Sequence, residues 1–292
     1  MTGALPIRKL VVIGTGLIGG SFSLALKQAG LARTVVGIGR RQETLEEAIR
    51  LSIIDVAGSY DQASFANADL ILVATPVGQM RAVFKAMAEF VPIDAVITDG
   101  GSTKLDVIKL AREFFSDSLD RFVPAHPISG TEKNGPSAAF PDLYRSRRVI
   151  ITPLTETAPS ALDLVRNVWQ ACGAIVSELA ADRHDALLGA VSHLPHLLAF
   201  ALVEELASRP DGQALFSFAG GGFRDFTRIA SSNPEMWRDI FLSNKEAVSN
   251  ELVAYRNALA VLQEMLDAGD GDSMQALFER ARDARQGWLR KD

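Results

Sequence analysis

The chain has 292 residues, of which 48% are hydrophobic and 22% are charged, and its formal net charge is −5. Such a composition is typical of a globular protein, and the length suffices for two domains with separate cores. The negative charge and the lack of a dense run of lysine and arginine argue against nucleic acid as a partner. A single cysteine, Cys172, can form neither an internal disulfide nor a metal cluster, so we expect a cytoplasmic protein.

Up to about residue 180, short apolar runs alternate with amphipathic stretches. The apolar runs are typical of buried strands and cover residues 9–14, 34–39, 68–75, 94–100, 121–126 and 148–153. Strand–helix alternation with nearly continuous apolar strands predicts an α/β fold with a parallel, doubly wound, Rossmann-like sheet. The first apolar stretch is too short and too rich in glycine for a signal peptide or a membrane span, so we expect no membrane association.

Beyond residue 180 the strand pattern stops and helical patterns continue to the end. We therefore predict a dinucleotide-binding domain over residues 1–180 and an all-α domain for substrate binding and dimerisation over residues 181–292. Residues 186–206 are apolar nearly all round, more than one exposed helix face tolerates. They are either buried within one chain or covered by a second copy, and we favour a homodimer.

A glycine motif, G-x-G-x-x-G, closes the first predicted strand and opens a helix near Leu17. Gly14 permits a tight turn, Gly16 lets the backbone approach a pyrophosphate, and Gly19 lets helix and strand pack closely. The helix N-terminus then faces the phosphate charge. The predicted cofactor-binding residues of this loop are Gly14, Thr15, Gly16, Leu17, Ile18 and Gly19.

The end of the second predicted strand bears on the choice between NAD and NADP. An NAD enzyme presents a carboxylate there to the ribose 2′-OH, but this strand ends at Gly39 and is followed by Arg40 and Arg41. Two guanidinium groups can bind a 2′-phosphate, so we predict NADP, with NAD as an alternative. The alternative for the arginines is that they are solvated loop residues.

In a doubly wound sheet, ligands bind beyond the carboxyl ends of the strands. Thr75 with Pro76, Ser102 and His126 fall at such ends. Ser102 is either an N-cap of the next helix, a site residue that reaches His126, or both. His126 lies in a stretch broken by proline and glycine, where it is either a loop residue of no consequence or a proton-transfer group.

Two later segments add charged and titratable residues. His193 and His196 are three residues apart, hence on one helical face, but no acidic residue at a neighbouring helical position completes a metal site, and we expect no metal. Arg224 and Arg228 follow a glycine-rich stretch one helical turn apart, a spacing suited to a dianionic substrate.

Five motifs in order along the chain carry a resemblance to a known family. They are GTGLIGGS, DGGSTK, HPISGTEKNG, SHLPH and GGGFRDFTRIA followed by NP and W. Together they resemble the prephenate and arogenate (cyclohexadienyl) dehydrogenases of tyrosine biosynthesis, over nearly the whole chain. The resemblance implies oxidative decarboxylation of prephenate or arogenate to 4-hydroxyphenylpyruvate or tyrosine, with hydride transfer to NADP or NAD. It also implies neither a fused chorismate mutase nor a C-terminal regulatory domain.

The resemblance also assigns roles to residues of this chain. The histidine of the HP motif, His126, accepts the ring hydroxyl proton, and Ser102 positions that histidine and the substrate. Arg228 holds the ring carboxylate, and His196 lies at the substrate side chain. Further substrate-binding positions are Ser192, Thr131, Glu132, Asp225 and Trp237; of these, Glu132 and Asp225 match acidic partners of the arginine, and Trp237 matches an aromatic residue that reaches across a dimer.

Two other functions compete with this interpretation. The β-hydroxyacid dehydrogenases have a similar architecture but carry a lysine one turn after a glycine in the long interdomain helix, and residues 189–193 contain none. A protein that senses NAD(P) without chemistry would have no reason to keep His126, Ser102 and Arg228 together. The sequence leaves open which of prephenate and arogenate is preferred.

Overall fold

A computed structural model describes residues 7–130 and 133–290 of the chain. Residues up to Lys245 form one compact unit, and residues from Glu246 onward form a second. The strands are β1 (Ile7–Ile13), β2 (Ala32–Ile38), β3 (Val56–Gly58), β4 (Leu70–Val73), β5 (Val96–Asp99), β6 (Phe122–Val123), β7 (Ala125–Pro127), β8 (Arg148–Ile151) and β9 (Ile175–Glu178). The helices of the first unit are α1 (Leu17–Gln28), α2 (Gln42–Arg50), α3 (Gln62–Phe65), α4 (Met80–Met87), α5 (Leu105–Phe114), α6 (Pro159–Ala171), α7 (Ala181–Leu188), α8 (Leu194–Ala207), α9 (Gly212–Ser217), α10 (Gly221–Thr227) and α11 (Pro234–Ser243).

The main sheet has six parallel strands in the order β3-β2-β1-β4-β5-β6. This order reverses between β1 and β4, which creates the crevice where doubly wound sheets bind ligands. The predicted Rossmann-like sheet followed by helices is therefore confirmed. β3 was not predicted, because its three residues are too few to give a pattern.

Both faces of this sheet are covered, as the continuous apolar strands require. Leu10 and Val12 of β1 point into one apolar cluster, and Val11 and Ile13 point into another. Successive side chains of a strand alternate between faces, so an apolar run of this kind is stable only between two helical layers.

The prediction of one parallel sheet through residue 153 was wrong in its last part. The run 121–126 divides at Pro124 into β6, which pairs with β5, and β7, which pairs antiparallel with β8 in a separate sheet of order β7-β8-β9. Proline has no backbone N–H, so the ladder to β5 cannot continue through it. His126 therefore lies on a strand of the second sheet, beside the end of the first.

A π-helical turn, Gly189–His193, joins α7 to α8. The Leu194 N–H bonds to the Gly189 carbonyl, five residues back. Pro195 has no N–H to give to a normal helical turn, which explains why the wider turn forms here. The whole run Ala181–Ala207 is long and apolar enough to cross a membrane by length and composition alone. It also carries several of the buried polar residues described below.

The second unit contains two helices: most of α12 (Lys245–Ala268), which begins at the last residue of the first unit, and α13 (Gly271–Leu289). Gly269 takes a positive φ of 65° at the end of α12, and the Asp270 carboxylate accepts a hydrogen bond from Ser273 N at 3.0 Å. Large apolar side chains such as Leu266, Phe278 and Trp288 are exposed on these two helices. The domain boundary predicted near residue 180 stays a prediction.

Candidate active site

The glycine loop after β1 is shaped by close backbone contacts. Gly14 has a φ of 98°, and a Cβ on it would lie 2.5 Å from the carbonyl oxygen of Ala74. A Cβ on Gly19 would lie 2.0 Å from the Gly14 carbonyl oxygen, whereas one on Gly16 would meet nothing within 4 Å. Gly14 and Gly19 thus let the chain pack on β4, and Gly16 faces the open space that a pyrophosphate would need.

The groups around this loop fit a dinucleotide. Helix α1 begins at Leu17 without a side-chain cap, so its first N–H groups are available to an anion. The hydroxyls of Thr15 and Thr75 are buried and have no hydrogen-bond partner among the described residues. A buried hydroxyl without a partner is costly, and a bound ligand with polar oxygens would satisfy both.

The remaining predicted cofactor residues lie at the same edge of the sheet. Gly39, Arg40 and Arg41 follow the carboxyl end of β2 and are exposed, and Pro76 follows Thr75 after β4. Ile18 packs close to the next strand end, since a Cβ on Gly100 would lie 3.2 Å from Ile18 Cγ2 and 3.9 Å from Pro127. The start of α1, directly after the glycine loop, and the strand that carries His126 therefore both lie next to Gly100.

His126 is at one end of a chain of three buried side chains. Its Nδ1 lies 2.8 Å from Nε2 of His184, and Nδ1 of His184 lies 2.7 Å from Oδ1 of Asp185. His126 is 9% exposed, and the other two side chains are almost fully buried. The sequence predicted no role for His184 or Asp185, because His126 and His184 are 58 residues apart and no local pattern links them.

Asp185 also caps helix α5. Its carboxylate accepts hydrogen bonds from Lys104 N and Leu105 N, each at 2.9 Å. The predicted N-cap role of Ser102 was therefore wrong: the cap position is Lys104, and the capping oxygens come from α7. Nor does the Ser102 hydroxyl bond to His126 in the part of the chain that the structure describes; Ser102 lies half-buried in the turn after β5.

These hydrogen bonds fix where the protons lie. Burial alone would raise the pKa of Asp185, but the bonds from His184, Leu105 and Lys104 outweigh it and the pKa is lowered. An ionised Asp185 only accepts, so His184 donates its Nδ1–H to it, and a neutral His184 then offers Nε2 as an acceptor. His126 must then donate its Nδ1–H to His184. The lone pair of His126 Nε2 is left to accept a proton from elsewhere.

The surroundings of His126 keep it neutral. Burial lowers its pKa well below its ordinary value, and the neighbouring His184, Lys104 and His193 lower it further. A neutral imidazole with a directed lone pair is the form that a general base needs at neutral pH.

His196 forms a second group with Trp237 and Ser192. The His196 and Trp237 rings stack with their centroids 3.6 Å apart, and His196 Nδ1 donates to the Ser192 carbonyl oxygen at 2.8 Å. Burial lowers the pKa of His196, the Ser192 bond opposes this, and the positive charge of Arg228 lowers it further. The predicted substrate residues His196, Ser192, Arg228 and Trp237 are thus brought together.

Other predicted residues are placed differently. Trp237 is 6% exposed and stacks on His196 of its own chain, and its match to an aromatic residue that reaches across a dimer stays a prediction. Asp225 and Arg224 are exposed on α10. Thr131 and Glu132 lie outside the described residues, so the pairing of Glu132 and Asp225 with Arg228 stays a prediction.

His193 has a structural place. It is 1% exposed, its Nδ1 lies 3.1 Å from the Asn244 amide nitrogen, and that amide also donates to the Asp185 carbonyl at 2.8 Å. Burial is the main reason why the pKa of His193 falls to about 4. Within residues 7–130 and 133–290, no group of three or more His, Cys, Asp or Glu side chains could hold a metal ion.

The fold and these residues define a dinucleotide-binding protein with a histidine-centred site at the carboxyl ends of its strands. The sequence profile of the prephenate dehydrogenase nucleotide-binding domain matches residues 22–178, and that of the prephenate dehydrogenase dimerization domain matches residues 180–280. The chain belongs to the prephenate dehydrogenase family.

Individual relatives agree with this membership. The chain is 32% identical to a cyclohexadienyl dehydrogenase of Zymomonas mobilis over 95% of each chain. Among solved structures, prephenate dehydrogenase from Aquifex aeolicus in complex with hydroxyphenyl propionate and NAD+ is 35% identical, with a TM-score of 0.90 over 99% of this chain and 100% of that one. Synechocystis arogenate dehydrogenase is 27% identical, with a TM-score of 0.81 over 96% of this chain and 100% of that one.

Proposed function

We propose that the chain is a nicotinamide-dependent dehydrogenase of tyrosine biosynthesis that oxidatively decarboxylates prephenate, arogenate or both. The observation that carries the proposal is His126, neutral and held with its Nε2 lone pair free beside the glycine loop. Family membership supplies the substrate class, and the nicotinamide ring, when bound, supplies the hydride acceptor.

In this proposal His126 Nε2 accepts the proton of the substrate's C4 hydroxyl. Electrons from that O–H bond form a C=O bond as hydride leaves C4, and the C1 carboxylate then departs as CO2 to complete an aromatic ring. The electron pair released by decarboxylation ends on the ring oxygen as a phenolate. That oxygen can take the proton back, so the nearly buried His126 needs no route for the proton to bulk water.

The substrate carboxylate needs a permanent positive charge, and Arg228 can supply it. Its charge acts on His196, which stacks on Trp237, so these three residues form one wall of the proposed substrate site. Ser192, Thr131, Glu132 and Asp225 are the further proposed contacts, and Ser102 is proposed to contact substrate from the turn after β5.

For the cofactor we propose NADP over NAD. Gly39 places no carboxylate at the end of β2, and Arg40 and Arg41 stand exposed immediately after it. The double substitution Gly39→Asp with Arg40→Ala restores an acid and removes one cation, so kcat/KM should move towards NAD. If the unmodified chain already favoured NAD at equal concentrations, both arginines would be solvated surface residues.

We also propose a cytoplasmic homodimer in which the second copy covers apolar helix faces. Large apolar side chains are exposed on both units, Val191 and Phe218 in the first and Leu266 and Trp288 in the second. The matched dimerization-domain profile spans much of the same helices. Light scattering coupled to size-exclusion chromatography should give about twice the chain mass of 31.5 kDa.

The activity itself is tested by absorbance at 340 nm. Purified protein is mixed with prephenate or arogenate and with NADP or NAD, in all four combinations. At least one combination should produce reduced cofactor and CO2 together. Reduced cofactor without CO2 would favour a β-hydroxyacid-type oxidoreductase, and no reduction with any combination would favour a protein that binds dinucleotide without chemistry.

A further inference from the structure

We propose that Lys104, together with Asp99, is a positioning residue for His126, fixing the strand that carries the base. The proposal rests on the role of His126 given above. Asp99 is the last residue of β5, and Lys104 is the N-cap residue of α5. Both side chains are fully buried, and they form an ion pair with each other. No role predicted from the sequence involves either residue.

The pair holds both backbone polar groups of the residue that precedes His126. Lys104 Nζ donates to the Ala125 carbonyl oxygen at 2.7 Å, and Ala125 N donates to Asp99 Oδ1 at 3.2 Å. Asp99 Oδ2 also accepts from Gly101 N at 2.7 Å, which ties the same carboxylate to the turn after β5.

The hydrogen bonds from Lys104 and Asp99 satisfy backbone groups of β7 that a neighbouring strand would otherwise pair. β7 pairs with β8 on one side, where His126 is in register with Ile150. On its other side the ladder to β5 ended at β6, so the polar groups of Ala125 would be buried without partners. Buried backbone groups must be paired, and here two side chains provide the pairing at the point where the chain passes from one sheet to the other.

Lys104 also reaches His126 by a second route. Its backbone N–H is bound by Asp185, the carboxylate that orients His184, which in turn holds the His126 ring. One residue therefore contacts the backbone next to the base and the chain of groups that sets the proton on it. A displacement of Lys104 would disturb both.

The charge of Lys104 has an effect of its own. Among the described residues, the titratable groups facing His126 are His184 from α7, His193 from the π-helical turn and Lys104 from the turn before α5, and each lowers its pKa in addition to burial. Removing the Lys104 cation makes protonated His126 less unfavourable, so the pKa of His126 rises. A base acts in its neutral form. When the pKa of His126 is higher, acidification therefore abolishes activity at a higher pH than in the unmodified chain.

The test uses Lys104→Met, which removes the ammonium and keeps a long side chain, and Lys109→Met as the control. Lys109 is an exposed lysine on helix α5, which begins directly after Lys104. Because Lys104→Met leaves the Asp99 carboxylate without its cation, the neutral double variant Asp99→Asn/Lys104→Met is made as well. If circular dichroism shows that the single variant does not fold, the same measurements are made on the double variant.

We expect kcat of the Lys104 variants to fall by about 10²-fold, the usual cost of misplacing a reacting group by about 1 Å. The dissociation constant for NADPH, measured by fluorescence, should stay within threefold of the unmodified chain. The acid limb of the kcat/KM profile should move to higher pH. Lys109→Met should change none of these quantities.

A kcat within threefold of the unmodified chain would overturn the proposal, and so would a lower kcat with an unmoved acid limb, which would mean a structural role only. Failure of the proposed function would give different results. The unmodified chain would then reduce no cofactor, or His126→Asn would keep nearly normal turnover.

A readout without substrate is also available. The chain has four histidines, and the imidazole resonance of His126 can be assigned by its loss in His126→Asn. Its NMR titration should shift to higher pH in Lys104→Met. An unchanged titration in a folded variant would refute the electrostatic part of the proposal.

Discussion

Asp185→Asn should show how much activity depends on the orientation and tautomer of the proposed base, because His126 itself remains in this variant. The carboxylate accepts from Lys104 N and Leu105 N at 2.9 Å and from His184 Nδ1 at 2.7 Å. An asparagine side chain is nearly isosteric, but it has only one oxygen, and its nitrogen donates.

The amide has two orientations, and each leaves one N–H without an acceptor. With its oxygen towards His184 and Lys104, the nitrogen opposes Leu105 N. With its oxygen towards Leu105, the nitrogen donates to His184, which then changes tautomer and donates Nε2–H to His126. In that second state the proton of His126 moves to its Nε2, and the lone pair that should act as base is gone.

Loss of a charge-assisted bond and an unsatisfied N–H should lower the free energy of unfolding by about 2–3 kcal/mol. Because the wrong tautomer competes, kcat should fall by a factor on the order of 10²–10⁴, the range for a lost general base. Steady-state kinetics at 340 nm, urea unfolding and NADPH binding measure the three quantities, and NADPH binding should be nearly unchanged.

Asp182→Asn is the matched control, an exposed acid one turn earlier on the same helix α7. It should leave kcat and the free energy of unfolding close to those of the unmodified chain. If Asp185→Asn lost stability as expected but kept kcat within threefold, Asp185 would be a helix cap only, and the tautomer argument would be wrong.

Three further predictions concern single residues. His126→Asn should keep NADPH affinity while kcat falls by a factor on the order of 10²–10⁴; turnover within a few-fold of normal would remove its role as base. Arg228→Ala should raise KM for substrate roughly tenfold to a hundredfold, with partial recovery in Arg228→Lys, whereas a loss of NADP affinity instead would place this arginine at the cofactor. Burial lowers the pKa of His193 from 6.5 to about 4. Between these pH values the unfolded chain binds a proton at His193 and the folded chain does not. The free energy of unfolding should therefore fall by about 3 kcal/mol as the pH drops from above 6.5 to 4. Urea unfolding at several pH values measures this loss, which should be smaller in His193→Gln; an equal loss in that variant would assign it to other groups.

The predictable part of the fold follows from local patterns. The six-residue glycine motif, most of the buried apolar strands and the helical C-terminal region could be predicted, because each depends on residues close together in the chain. The strand order follows once the sheet is known to be parallel and doubly wound. The division of residues 121–126 into two sheets was not foreseen, although Pro124 was the local signal for it.

The candidate site could be predicted only in part. Strand ends locate residues such as Thr75 and His126, but they do not say which distant side chain will meet them. Ser102 is a good N-cap by residue type, yet α5 is capped by Asp185, 81 residues from Lys104. Lys104 is equally hidden, since nothing local tells a buried lysine from a solvated one.

The proposed base, His126, is placed by one set of elements, and its tautomer is set by another. Its position comes from β7 and β8, where His126 is in register with Ile150, and from Asp99 and Lys104 at the end of β5. Its tautomer comes from α7, through His184 and Asp185. A dinucleotide fold of strands and crossover helices can therefore bring a histidine to the cofactor, but it cannot by itself decide which ring nitrogen carries the proton. The tautomer of His126 depends on α7, which carries His184 and Asp185. Because the same Asp185 carboxylate also caps α5, a movement of α7 would break the hydrogen bonds at the start of α5, next to His126.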